Sequence, residues 1–288
     1  MQTSIMQFTE RDPIELLGIA FVAIGIILFL SFGFRLLFSY KRTEKKQTLY
    51  LALEFIFGGL GMFFLLVEQV ILMLSVEVIA TAPDVITDPP IPPMQSFFQY
   101  SGFDVFSAGW VGAALAWISS GIAIIAAVFF VVSFFPTMGR KYLIPPIILI
   151  LVYLALIIIS PFQWNFSGSD WSPEHDPTIN IILWILFFIP LWSVAFLFLY
   201  LTFSLFRRGS PSWRRLCWIF VSQTLLSIAF TIEIVNPSMI TEYLIPALIG
   251  SEGVIATISR FFLMIYPMLM WIGVLTPSWA KGMLGVTT

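Results

Sequence analysis

Residues 35–54 read RLLFSYKRTEKKQTLYLALE, and this stretch decides the fold. Five cations, Arg35, Lys41, Arg42, Lys45 and Lys46, stand at the junction of two apolar runs, about 14–39 and 48–76. Crossing a hydrocarbon core of ~30 Å as a helix takes ~20 apolar residues, and both runs are long enough. Lys and Arg beside short connections are held in the cytoplasm, so this turn is an inner one.

The same alternation continues along the chain. Further apolar runs cover about 104–135, 143–160, 178–206, 213–236 and 255–277. Arg140 and Lys141 fall at the third junction, Arg207, Arg208, Arg214 and Arg215 at the fifth, and Lys281 in the tail. Twelve of the fourteen Lys and Arg residues thus sit on one side, leaving only Arg11 and Arg260 elsewhere. The sequence therefore predicts an all-α membrane protein: a single seven-transmembrane-helix bundle over residues 1–288, multi-pass in the cell membrane. Its N-terminus is expected outside and its C-terminus in the cytoplasm.

Composition agrees. Hydrophobic residues make up 59% of the chain and charged residues 10%, against about 25% charged in a soluble domain, which excludes a soluble fold. Of sixteen acidic residues only Glu44 is expected inside, Glu54, Glu68 and Glu233 fall within helices, and the rest lie at or beyond the outer boundary. Such a surface is either a solvated exterior or one that concentrates cations near an entrance. The first twelve residues lack a basic n-region, so the first apolar run is expected to be an uncleaved anchor.

The inner connections, about 40–47, 136–142 and 207–213, are too short to hold a domain, which takes on the order of 50 residues. Any output is then intramembrane or belongs to a partner. The outer segments, about 81–102, 161–177 and 237–254, are longer. They either pack on the bundle or form a lid over an outer cavity. Helix four, from Leu143 to Ser160, is almost wholly aliphatic and is expected to face lipid. Helix three carries Ala108, Gly112, Ala116 and Ser120 at i+4 spacing, a pattern that lets helix backbones approach closely in lipid, and is expected to be central.

The chemistry-bearing residues lie on three helices. Helix two places Glu54, Gly58, Gly61, Leu65 and Glu68 on one stripe, which must face the bundle interior or an aqueous cavity rather than lipid. Helix six offers Ser222, Leu226, Ala229 and Glu233 with Gln223 adjacent, and helix seven Arg260, Met264, Pro267 and Trp271. Reading depth from chain direction, Glu68, Glu233 and Arg260 share an outer level, with Arg260 the one cation there. Arg35 is the expected partner of Glu54 near the inner side. The plain alternative is two ion-pair clasps that fix helix register. Trp117, Trp184, Trp192 and Trp271 lie deep, either lining an apolar pocket or packing the core.

Several chemistries are excluded. No lysine lies inside an expected helix, so a retinal Schiff base has no attachment point. One histidine, His175, and one cysteine, Cys217, cannot supply paired-histidine haem ligation or an intramembrane zinc site. No metal, no cofactor and no enzymatic activity are expected. The G-protein-coupled-receptor pattern is also missing, since helix three ends in Phe134-Phe135-Pro136 and helix seven has no Asn-Pro-x-x-Tyr.

The segment Thr48-Leu49-Tyr50-Leu51-Ala52-Leu53-Glu54-Phe55 behind the basic first loop, and the exit Trp271-Ile272-Gly273-Val274-Leu275-Thr276-Pro277-Ser278-Trp279, carry a resemblance. The chain resembles the seven-helix membrane sensor modules that precede prokaryotic histidine kinases, and archaeal proteins built like them. In those modules the Pro-x-Trp end leads into the output domain; here the sequence ends at Thr288, so the resemblance implies a sensor without its output domain.

These readings converge on a non-enzymatic sensor or receptor-like membrane protein. Its expected ligand or proton site is an outer polar cavity bounded by Glu68, Glu233, Arg260, Trp271 and Trp117, with Arg35–Glu54 as an inner ion pair. Ligation would shift helix six or seven about Pro267. The expected partners are the lipid bilayer and a cytoplasmic or membrane protein that reads the basic inner face; no nucleic-acid partner is expected. The alternatives are a proton- or cation-coupled transporter or channel using helix two, and a structural subunit of a membrane complex.

Overall fold

The computed structural model describes residues 13–81, 108–134, 144–156, 177–204, 208–235 and 252–275. The side chains of residues 15, 68–81, 108–114, 177–181, 183–184, 233–235 and 252–253 lie outside that description. All regular structure among the described residues is helical: α1 Pro13–Thr43, α2 Lys46–Thr81, α3 Ala108–Val132, α4 Ile144–Leu156, α5 Pro177–Ser204, α6 Pro211–Val235 and α7 Glu252–Leu275. Six of these are long and apolar enough to cross a membrane, and α4 is shorter.

Local chemistry sets the helix ends. Lys41 and Arg42 occupy the last turn of α1, where cations complement the carbonyl end of the helix. Glu44 then turns the chain with φ of 52°, and its N–H donates to the Tyr40 carbonyl at 2.7 Å. This is a left-handed cap normally given to glycine. At the start of α6, Gly209 takes φ of 83° and the Ser210 hydroxyl accepts from the Trp213 N–H at 3.2 Å. Pro211 follows as the first helical residue, where its missing N–H costs nothing.

The helices close into a ring in the order α1, α2, α3, α5, α6, α7 and back to α1. Small residues let them meet. A Cβ on Gly33 would lie 2.7 Å from Ile56 Cγ1 on α2, and one on Gly58 would lie 2.8 Å from the Phe29 ring on α1. Gly61 on α2 faces α3, with Ser120 Oγ 2.8 Å and the Ala116 carbonyl 3.2 Å from such a carbon. Half of the expected small-residue stripe on α3 is therefore a helix contact, and α3 is the most buried of the six long helices.

Contacts along the helices give their directions. On α1 and α7, Gly18 meets Arg260, Phe29 stacks on Tyr266 and Phe32 packs on Trp271, so these two helices run parallel. On α3 and α5, Trp117 meets Phe187 and Phe130 meets Phe198, so these too run parallel. Helix α4 packs Leu154 and Tyr153 against Gly121 of α3, with Tyr153 also against Phe187. Its other face, at Ile144, Ile148, Leu151, Val152 and Leu156, is exposed, as its aliphatic sequence predicts.

Candidate functional site

The burial pattern is inverted relative to a soluble protein. Ile24, Ile27, Phe34, Phe63, Ile185, Phe196 and Phe261 are exposed, whereas Glu54, Ser120, Ser222, Gln223, Ser227 and Ser259 are buried. Most of the hydroxyls satisfy themselves locally: Ser222 donates to the Ile219 carbonyl, Ser227 to Gln223 and Thr202 to Phe198. Glu54 and Gln223 have too long a reach for that and meet across the bundle.

Their meeting point is a three-helix clasp. Gln223 Nε2 on α6 donates to Glu54 Oε1 on α2 at 2.7 Å and to the Tyr266 hydroxyl on α7 at 3.0 Å. The Tyr266 hydroxyl in turn donates to Glu54 Oε1. All three residues are at most 3% exposed. The Tyr266 ring is held between Phe29 and Phe55, with centroids 5.4 Å and 5.6 Å away, so its hydroxyl has one direction to point. Glu54 Oε2 is buried and has no hydrogen-bond partner.

Beside the clasp lies a central cavity of about 30 Å³. A water molecule needs about 10–15 Å³ of such space, so the cavity matches about two. Every one of the six long helices contributes to the wall, through Phe29, Glu54, Gly58, Met62, Ser120, Leu191, Gln223, Leu263 and Tyr266 among others. On α2 the wall follows Glu54, Gly58 and Met62 at i+4 spacing; the first two belong to the expected stripe, whose next member, Gly61, faces α3 instead.

Two prolines are sequence neighbours of residues on this wall. Pro267 follows Tyr266 and Pro190 precedes Leu191. A proline donates no hydrogen bond to the carbonyl four residues back, so α7 and α5 are locally weakened beside the cavity.

The sequence expectations fare unevenly. Glu54 does face the interior, but it is not paired with Arg35. Glu54 bonds Gln223 and Tyr266, while the Arg35 guanidinium lies 6.0 Å from the Trp271 ring centroid on the exposed surface. The two residues are equidistant from the α1–α2 turn and so share a depth, yet α1 meets α2 through Gly33. Two residues further on, at ~100° each, the helix has turned Arg35 away. The side chains of Glu68 and Glu233 lie outside the described residues.

Arg260 is half-buried against α1, its Nη1 only 2.9 Å from where a Cβ on Gly18 would stand, next to Thr257, whose hydroxyl donates to the Ile14 carbonyl at 3.0 Å. Trp117 packs edge-on against Phe187 at 5.7 Å, and Trp271 packs on Phe32 at 5.2 Å. Trp271 is eleven residues beyond Arg260, about 16 Å along the axis. Trp271 therefore lies at a different depth from Arg260. None of Arg260, Trp117 and Trp271 borders the central space. Of the other deep tryptophans, Trp192 donates to Thr231 Oγ1 at 3.2 Å and the Trp184 side chain lies outside the described residues. Tyr266 is the member the sequence did not single out; a lone phenol midway along an apolar helix, next to a proline, was the available signal. Among the described residues no three His, Cys, Asp or Glu side chains gather.

An apolar exterior, a polar centre and six helices of spanning length define the class: a multi-pass helical membrane protein. Comparison with protein-family models, with curated proteins and with solved structures finds no match.

Proposed function

We propose that the chain is a non-enzymatic, receptor-like sensor of the cell membrane, with seven crossings, the N-terminus outside and the C-terminus in the cytoplasm. The observation that carries the reading is the Glu54–Gln223–Tyr266 clasp, which ties α2 to both α6 and α7 through a single carboxylate oxygen. In an apolar bundle such a joint has two states of very different energy, closed and open, because an unmade buried hydrogen bond costs about 1–3 kcal/mol. A two-state joint biased by what occupies the adjoining cavity is what a sensor requires. Pro267, one residue from Tyr266, gives α7 a place to bend. The resemblance to sensor modules ahead of histidine kinases points the same way, and a partner reading the basic inner turns, Lys41 to Lys46 and Arg207 to Arg215, would carry the output.

The test uses spin labels at the inner ends of α2 and α6 in the full chain, reconstituted in lipid. Opening the clasp with Gln223→Leu and Tyr266→Phe together should change the label separation by several Å, with helix content retained. An unchanged separation in a folded double variant makes the clasp a static brace and removes the basis for a sensor. The transporter alternative draws on the cavity following α2 from Glu54 to Met62; ion or proton flux through sealed vesicles, abolished by Glu54→Gln, would favour it instead.

A further inference from the structure

Glu54 stands out for what does not accompany it. Its carboxyl is buried at the centre of the bundle, and its partners are an amide and a phenol, neither of them a cation. Taking an ionised carboxylate out of water is costly unless positive charge comes with it. The elements packed around the cavity supply none among the described residues: Phe29 comes from α1, Ser120 from α3, Leu191 and Val194 from α5, Gln223 from α6 and Tyr266 from α7. Glu54 and Tyr266 are the titratable groups on the described wall. A charge-compensating ligand must therefore be small enough for a cavity of about 30 Å³.

Two ligands of that kind exist, a metal cation and a proton, and the wall separates them. A hard metal cation takes on the order of six oxygen ligands. The oxygen-bearing side chains here are Glu54, Ser120, Gln223 and Tyr266, and three of these four are already bonded to one another. A proton needs one oxygen, and Glu54, a residue of the cavity wall, has its Oε2 buried and unpartnered.

We propose that Glu54 Oε2 is a proton-binding site, loaded from water in the central cavity, and that the proton is the ligand the clasp responds to. Loading forms an O–H bond on Oε2 and leaves a neutral water behind the hydronium that delivered it. Oε1 keeps its two donors, so the clasp stays closed when the proton is loaded. Release returns the proton to cavity water and leaves a bare charge at the junction of α2, α6 and α7, which draws water in and favours separation of the helices at Pro267. The consequence for helix position rests on the sensor reading; the proton site does not.

Infrared difference spectra of the full chain in lipid nanodiscs test it. The wild type should show a protonated-carboxyl C=O band that Glu54→Gln removes, the loss of one of sixteen acidic side chains. The band should move to higher frequency in Tyr266→Phe, because the C=O loses a donor while the ring packing stays. Exchange of sodium for choline should leave it unchanged. The proposal is overturned if the band survives Glu54→Gln, or if it appears only when sodium is withdrawn, which would make the ligand a metal ion. Should Glu54→Gln not fold, Tyr266→Phe decides alone: an unmoved band overturns the assignment. Spin-label distances on the same samples separate the two readings. A proton band without helix displacement on a pH step sinks the sensor, and displacement without the band sinks the proton site.

Discussion

Gln223 holds two bonds with one amide nitrogen, so its removal strips a donor from both Glu54 and Tyr266. Gln223→Leu keeps the volume approximately and should lower stability by about 1–3 kcal/mol, the cost of leaving buried polar atoms unsatisfied. Reversible unfolding in mixed micelles would measure it. At Tyr266 the hydroxyl and the ring act separately. Tyr266→Phe forfeits the hydrogen bonds alone, whereas Tyr266→Ala also empties the slot between Phe29 and Phe55 and should cost about 3–5 kcal/mol, as large aromatic truncations in cores do. If the two substitutions cost the same, the ring packing contributes nothing. Glu54 was legible in the sequence because a carboxylate on a glycine-bearing stripe has nowhere to go but inward. Its partners were not. Depth follows from counting residues along a span, and it placed Arg35 level with Glu54. The direction a residue faces around the helix depends on which neighbours close the ring, and no single helix encodes that.

At the scale of elements, the spans themselves were the most readable feature, since each is a continuous apolar run bounded by charge or proline. Glycines locate the contacts between them. Gly33→Ala would drive a methyl to 3.0 Å from the Ile56 backbone nitrogen as well as 2.7 Å from Ile56 Cγ1. Backbone cannot swing aside as a flexible side chain can, so the α1–α2 pair should part slightly, at a cost of about 1–3 kcal/mol. A thermal melt in detergent unchanged from wild type would show that the pair is looser than it looks. The turn between these helices offers the opposite effect. Glu44 adopts the left-handed conformation at φ of 52°, which costs an L-residue about 1–2 kcal/mol. Glu44→Gly should therefore stabilise the hairpin by roughly 1 kcal/mol after the entropic penalty of glycine, and it should raise the melting temperature. The αL cap was not legible, because a glutamate gives no sequence signal for it.

For the whole molecule the proposed topology turns on α4. Its described length, Ile144–Leu156, is about 20 Å at 1.5 Å per residue, short of a ~30 Å core. The proposal that the chain nevertheless crosses here has two supports. The first is geometric. Moving from residue 117 to 130 on α3 moves the contact from 187 to 198 on α5, so the helices run the same way and the chain must travel back between them. The second is electrostatic. Without that return, Arg207, Arg208, Arg214 and Arg215 would stand outside, against the distribution of every other basic cluster. The proposed return would make the number of crossings odd, in keeping with α1 and α7 running parallel. Single cysteines in a Cys217→Ser background decide the matter. A membrane-impermeant maleimide should reach Ser167→Cys from outside and Gly209→Cys only after the inner face is opened. If α4 does not cross, both sites exchange sides relative to the first hairpin, and labelling at Glu44→Cys, which stays inner in either case, fixes the reference.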